Sequence, residues 1–343
     1  MASFKPVGYA VIGLGGFAQD AVLPGFRHSK KAKLVGLVSG DRAKAKRLAA
    51  KFGAKDFYTY EELPACLSHP QVEAVYIATN NGSHAHYAVQ AAKAGKHVLC
   101  EKPMATSVEE CCQMLEACRA SGVRLMIAYR KYFEPATLEL KKLVKSGRLG
   151  RLKYIHSAFG IVLRARGKAG SWHLDAELAG GGALPDVGVY CVNTIRWLLG
   201  EEPEEASAYQ WTTDPETFSQ VDENVAFRLN FPSGLVAQAT ASFGAAQSSF
   251  LQVHGEKGWA ALNPAYPWDE ERCLFGQAGG RWFEKKFKII DELSLELDAF
   301  ADCIRSQREP EPNGVQGLRD VAVMEAIYQS AGEGRTVPII MPE

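Results

Sequence analysis

The chain has 343 residues, 47% apolar and 23% charged, and its 39 basic side chains balance 39 acidic ones. These values describe a globular protein rather than a disordered or fibrous one, and a neutral balance gives no bulk electrostatic reason to bind nucleic acid or an anionic membrane. The length exceeds what one ordinary core supports and predicts two domains.

The start, Met1-Ala2-Ser3-Phe4-Lys5-Pro6, leads straight into an apolar run at 9–12 and lacks the pattern of an export leader. No run of about 18 apolar residues predicts a membrane span. The eight cysteines contain no C-x-x-C pair, which fits reduced thiols in a cytoplasmic protein. As far as residue 128, short apolar runs (9–12, 33–38, 74–78, 97–100, 124–128) alternate with helical patterns near 16–28, 41–53, 60–68, 83–95 and 107–121. That alternation predicts βαβ units, hence a doubly wound parallel sheet of the Rossmann type over 1–128.

The texture then changes. Helical patterns near 134–147 and 179–199 precede strand-like runs at 204–213, 222–231, 234–243, 248–254 and 257–262, with turn signals at Phe231-Pro232-Ser233-Gly234 and Gly255-Glu256-Lys257-Gly258. Further helical patterns lie near 291–306 and 316–332. Residues 129–343 are therefore expected to form an α+β domain, a predominantly antiparallel open sheet flanked by helices. This domain would bind substrate and pair with other subunits. The last helices are candidates to pack back on the first domain.

Three segments of the first domain carry chemistry. Gly13-Leu14-Gly15-Gly16-Phe17-Ala18 is G-x-G-x-x-A directly between a strand and a helix. Gly13 permits the tight turn, Gly15 lets a pyrophosphate approach the backbone, and Ala18 keeps the helix close to the sheet. The second strand ends at Ser39-Gly40-Asp41-Arg42-Ala43-Lys44. A serine stands where an NAD site usually has an acid, and Arg42 and Lys44 follow, which suits a 2′-phosphate and so NADP; Asp41 is the opposing feature. Thr79, Asn80 and His84 leave the end of another parallel strand, where ligands bind, and Ser83 is a helix N-cap candidate. His84 and His86 point different ways on a helix and lack further ligands, so no metal is expected.

Cys100-Glu101-Lys102-Pro103 places a lysine at a strand's carboxyl end, held out of helix by the proline. Taken alone it reads as a surface charge. A distant segment, Gly180-Gly181-Gly182 through Asp186, Tyr190 and Asn193, changes that reading. The last three recur at i, i+4 and i+7 on one face of an otherwise apolar helix, where buried polar groups require partners or a function.

These motifs resemble the glucose–fructose oxidoreductase and inositol dehydrogenase-like (Gfo/Idh/MocA) family over nearly the whole chain. The resemblance rests on residues 13–18, Gly95-Lys96-His97-Val98-Leu99-Cys100-Glu101-Lys102-Pro103-Met104-Ala105, the segments 177–182 and 188–190, and Trp197-Leu198-Leu199-Gly200-Glu201-Glu202-Pro203. The family often has histidine four residues after the aspartate. Tyr190 there looks like the branch of glucose–fructose oxidoreductase itself and the dimeric sugar and dihydrodiol dehydrogenases. The resemblance implies NADP, an aldose substrate, a homodimer or homotetramer through the second domain's sheet, and a cis bond at Lys102-Pro103. It adds Glu101, Lys102, Arg130 and Trp172 to the cofactor-binding set, although His173 stands where an arginine is expected. The activity implied is hydride transfer between C1 of a pyranose and nicotinamide, with Tyr190 as acid/base. A free phenol has a pKa of about 10, so the ammonium of Lys102 would stabilise the phenolate, and Asp186 would hold the sugar and orient Lys102. Two alternatives stay open: a sugar–sugar transhydrogenase that retains NADP, and a non-catalytic NADP-binding regulator.

Overall fold

A computed structural model describes residues 5–163, 171–246 and 248–342. The chain divides into two compact units, Met1–Arg130 with Asp291–Leu318, and Lys131–Ile290 with Arg319–Glu343.

The first unit holds a six-stranded sheet of β1 (Val7–Ile12), β2 (Ala32–Val38), β3 (Asp56–Tyr58), β4 (Ala74–Ile77), β5 (His97–Glu101) and β6 (Leu125–Ala128), in the order β3-β2-β1-β4-β5-β6. Every pairing is parallel. All six residues of β1 are buried, as expected of a central strand covered on both faces. The helices follow local signals. Helix Arg42–Phe52 opens on the Asp41 carboxylate, which accepts from the Lys44 N–H, and closes at Gly53 with φ 78°. Ser107 caps helix Val108–Ala120 through the Glu110 N–H, while the Glu110 carboxylate reaches back to Thr106 N–H. Strand order reverses between β1 and β4, which makes their carboxyl ends the ligand crevice of this fold. Helix Glu292–Ser306 also belongs to this unit.

The second unit is built on a nine-stranded sheet in the order β14-β13-β12-β11-β7-β10-β9-β8-β15. Its strands are β7 (Leu152–Gly160), β8 (Glu205–Trp211), β9 (Asn224–Asn230), β10 (Val236–Ser242), β11 (Ser249–Gly255), β12 (Gly258–Asn263), β13 (Arg272–Ala278), β14 (Arg281–Phe287) and β15 (Val337–Pro338). Only β7 and β10 pair in parallel. Sequence patterning locates β8 to β12. It misses β7, whose first half is largely exposed, β13, the edge strand β14 with little buried surface, and the two-residue β15. No described helix is long and apolar enough to cross a membrane.

Helix Val189–Leu199 is buried from Val189 through Leu198. The expectation that Asn193 shares a face with Asp186 and Tyr190 does not hold as an arrangement for one site. The preceding segment Leu184–Gly188 is a π-helical turn, which shifts the angular register between Asp186 and the residues after it. Asn193 instead donates from Nδ2 to Asp320 Oδ2 at 2.7 Å. Asp320 also pairs with Arg196, and the same guanidinium donates to Glu202 at 2.5 and 2.8 Å. The Arg196 and Asp320 side chains are 1% and 0% exposed. Losing the cation would leave Asp320 buried without its counter-charge. Arg196→Met is therefore expected to cost about 3–5 kcal/mol, read as a lower urea midpoint, whereas replacing Arg196 and Asp320 together by apolar residues should recover much of the loss.

Candidate active site

In the first unit, the residues singled out by sequence lie at the carboxyl ends of five of the six strands. Gly13 follows β1 with φ 94°. A Cβ there would lie 2.5 Å from the Ala78 carbonyl oxygen and 2.8 Å from the Thr79 N, so the turn after β1 and the turn after β4 touch backbone to backbone. Only glycine allows both the positive φ and that approach. At Gly15 and Gly16 a Cβ would meet nothing within 4 Å, which leaves open space over the turn. Leu14 and Ala18 are buried below it and Phe17 is exposed. An open backbone cradle ahead of a helix suits a pyrophosphate.

Ser39, after β2, is 2% exposed, and its Oγ accepts from the Asp41 N–H at 3.2 Å. The Asp41 carboxylate is turned onto the Lys44 N–H at 2.9 Å as a helix cap. Arg42 lies over the Phe57 ring and pairs with Glu62 at 2.5 Å. Beside Gly40 stands Tyr60, whose ring would be 3.3 Å from a Cβ at that position and which stacks on Tyr87. Tyr60 escapes sequence analysis because it follows β3, a three-residue strand too short to register as a pattern.

Thr79 and Asn80 are half-buried, and Asn80 Oδ1 accepts from Ser83 Oγ at 2.8 Å. The Ser83 hydroxyl is thereby used locally and makes no cap bond to the helix it precedes. His84 is fully buried, and its Nδ1 is bonded to the Pro103 carbonyl at 2.9 Å. Burial lowers its pKa to about 4, so the ring is neutral and donates from Nδ1. His84 thus supports the Lys102 turn from beneath.

The Lys102-Pro103 bond is cis. Lys102 is half-buried, and its backbone N–H donates to Glu101 Oε2 at 3.2 Å. The other Glu101 oxygen accepts from Tyr76 Oη at 2.6 Å. Burial raises the Glu101 pKa, against the lowering effects of the Tyr76 hydroxyl and the Lys102 charge. Glu296 is fully buried within the same unit. Desolvation first, then the Glu101 and Glu292 charges, pushes its carboxyl far above the usual range. Arg130, expected from sequence at the nicotinamide end, is 4% exposed and pairs with Glu292 at 2.6 Å. Tyr76, Glu292 and Glu296 give no sequence signal, since each sits inside an ordinary strand or helix pattern.

In the second unit, Asp186 is half-buried in the π-helical turn and Tyr190 is 7% exposed. π-Turns inside helices are frequent at functional sites. The Tyr190 ring meets Phe159 edge-on at 5.6 Å and lies 5.9 Å from Tyr266. Tyr266 is bonded to Ser157 Oγ at 2.7 Å, and its pKa is raised well above the usual value, chiefly by burial. This aromatic wall fixes the Tyr190 ring, and neither Phe159 nor Tyr266 is marked by any motif. Trp172 stacks on His173 with ring centroids 3.7 Å apart. Residues 164–170, between β7 and Trp172, lie outside the described ones.

Comparison with known proteins agrees with this architecture. A family profile described as "Oxidoreductase family, NAD-binding Rossmann fold" matches residues 7–129, and the "GFO/IDH/MocA C-terminal domain" matches 137–261. The chain is 34% identical over 339 residues to D-xylose 1-dehydrogenase [NADP(+)] of Haloarcula marismortui, covering 98% of this chain and 94% of the relative. It is 33% identical over 236 residues to the trans-1,2-dihydrobenzene-1,2-diol dehydrogenase of Mus musculus, covering 68% of this chain and 67% of the relative. The crystal structure of aldose-aldose oxidoreductase from Caulobacter crescentus, complexed with glycerol, superposes with a TM-score of 0.92 at 36% identity over 97% of this chain and 100% of that one. With both domain profiles matched and relatives aligned along nearly its full length, the chain belongs to the Gfo/Idh/MocA family of oxidoreductases.

Proposed function

We propose that the chain is an NADP-dependent sugar dehydrogenase that moves hydride between C1 of an aldose and nicotinamide. The observation that carries this reading is Lys102 at the carboxyl end of β5, after a cis-Pro turn, in a chain 34% identical to a D-xylose 1-dehydrogenase [NADP(+)] over 98% of its length. The preference for NADP is supported at the end of β2. Asp41 is spent on a helix cap, and the Ser39 oxygen accepts from a backbone N–H, so its own proton is available to a phosphate oxygen. Arg42 is already paired with Glu62, which shifts the weight of 2′-phosphate recognition toward Ser39 and Lys44.

NADP, when bound, supplies the hydride acceptor. The residues of the chain handle the proton. As the C1–H bond breaks, the O1 proton passes to the Tyr190 oxygen and a C1 carbonyl forms, giving the lactone from a pyranose. In this reading the Lys102 ammonium would stabilise the negative charge that develops on O1 during transfer. Asp186 holds the sugar hydroxyls. Glu101, bonded to the Lys102 N–H and to Tyr76, keeps the lysine's backbone in place.

A second reading follows from the likeness to an aldose-aldose oxidoreductase at 36% identity. In it the protein keeps its NADP and passes hydride from one sugar to another. The open face of the second unit's sheet bears Tyr154, Tyr209 and Trp282 at 49%, 68% and 61% exposure, with Tyr154, His254 and Trp259 stacked in sequence. We read this face as the surface that pairs subunits, because a large exposed aromatic surface is a marker of association.

An aldose panel run with NADP and with NAD tests the primary reading. Turnover of a pentose or hexose with NADP is expected. Turnover of an aldose pair with no added nucleotide, by protein carrying NADP as purified, would favour the transhydrogenase. No turnover with intact NADP binding would mark a regulator. Lys102→Met is expected to lower kcat by about 10²–10³-fold while leaving NADP affinity within a few-fold. Ser39→Asp should move the kcat/KM ratio toward NAD by about tenfold or more, measured with both nucleotides. Tyr154→Arg combined with Trp282→Asp should reduce the mass measured by light scattering to that of a monomer.

A further inference from the structure

Asp222, just before β9, captures three successive backbone N–H groups of the segment that leads into the helix bearing Asp186 and Tyr190. Its Oδ1 accepts from Gly182 N at 2.6 Å, its backbone oxygen from Ala183 N at 3.0 Å, and its Oδ2 from Leu184 N at 2.9 Å. The first N–H groups of a helix have no partner within it, and a carboxylate there also complements the helix dipole. No nearer side chain does this work: neither the π-turn nor helix Val189–Leu199 has a side-chain cap of its own. Tyr328, on helix Gly314–Glu333, donates from Oη to Asp222 Oδ1 at 2.5 Å. The fit depends on the glycines. A Cβ on Gly181 would lie 2.0 Å from Tyr328 Oη, and one on Gly182 would lie 2.0 Å from the Asp222 carbonyl oxygen.

The geometry points to Asp222 and Tyr328 as positioning residues for the reaction: together they set the axial position and rotation of the π-turn that carries Asp186, and through it Tyr190. The inference rests on the proposed roles of Asp186 and Tyr190 and extends them to residues that touch neither substrate nor cofactor. A structural clamp elsewhere in the unit would alter stability alone. A clamp four residues ahead of Asp186 alters where the reacting groups stand, and misplacement of about 1 Å can cost 10²-fold in rate.

The test compares Tyr328→Phe and Asp222→Asn with the parent, with Gln220→Ala as a control lining the same cavity of about 470 Å³. Rates are normalised to NADPH-binding sites, and kcat is followed against pH. The expected result is a kcat at least fivefold lower for Tyr328→Phe and at least tenfold lower for Asp222→Asn. NADPH affinity should stay within twofold, and the acid limb of the pH profile should move by half a unit or more in Asp222→Asn. Gln220→Ala should match the parent. A lower Tm with an unchanged normalised kcat and an unmoved acid limb overturns the inference. If Asp222→Asn does not fold, Tyr328→Phe decides by the same readouts. Loss of turnover in Lys102→Met and Tyr190→Phe beside unchanged rates in the two clamp variants overturns this inference alone. Full turnover in Lys102→Met and Tyr190→Phe overturns the reading of the active site, and this inference with it.

Discussion

The Ala78 carbonyl oxygen lies where a side chain on residue 13 would have to be. That close approach, backbone against backbone at the point where the strand order reverses, is the constraint around which the first unit is arranged. It holds the turns after β1 and β4 together, with open space over Gly15 and Gly16. The parallel sheet sets the rest. Its carboxyl ends all face one way, and each loop leaving them starts with backbone groups not yet committed to the ladder. Ser39, Thr79 and Lys102 share an edge for that reason.

Charge buried beneath such an edge requires compensation. Glu101 is stabilised by the Tyr76 hydroxyl and the Lys102 N–H, and Arg130 meets Glu292. Burial and the neighbouring Glu101 and Glu292 carboxylates hold the Glu296 carboxyl well above the usual range. The second unit uses the same economy around Arg196, which serves Asp320 and Glu202 at once. Such networks contribute little net stability compared with apolar packing, but removing one member is costly.

In the second unit, the segment bearing Asp186 and Tyr190 is held at its start by side chains distant in the sequence. Its π-turn widens the helix at Asp186, and the register after it places Tyr190 against Phe159 and Tyr266 while sending Asn193 to Asp320. A ring confined by two others has little rotational freedom. Asp222 and Tyr328 hold the start of this segment, and Phe159 and Tyr266 flank the Tyr190 ring.

What the sequence by itself determined was local. The glycine turn, the serine at the end of β2 and the lysine before Pro103 are readable because each depends on residues within a few positions and on the alternation of strand and helix that surrounds it. The strands β8 to β12 are readable for the same reason, while β3 and β14 are not, being too short or too exposed for burial to leave a period. The tertiary structure decided what depends on long-range partners: Arg42 paired with Glu62, His84 bonded to the Pro103 carbonyl, and Tyr60 beside Gly40. It also decided that one aspartate at 222 would gather the N–H groups of 182, 183 and 184. Pairing across some 40 residues leaves no periodic trace in the chain, because the position of a hydrogen-bond partner is set by how sheets and helices stack and not by spacing along the backbone.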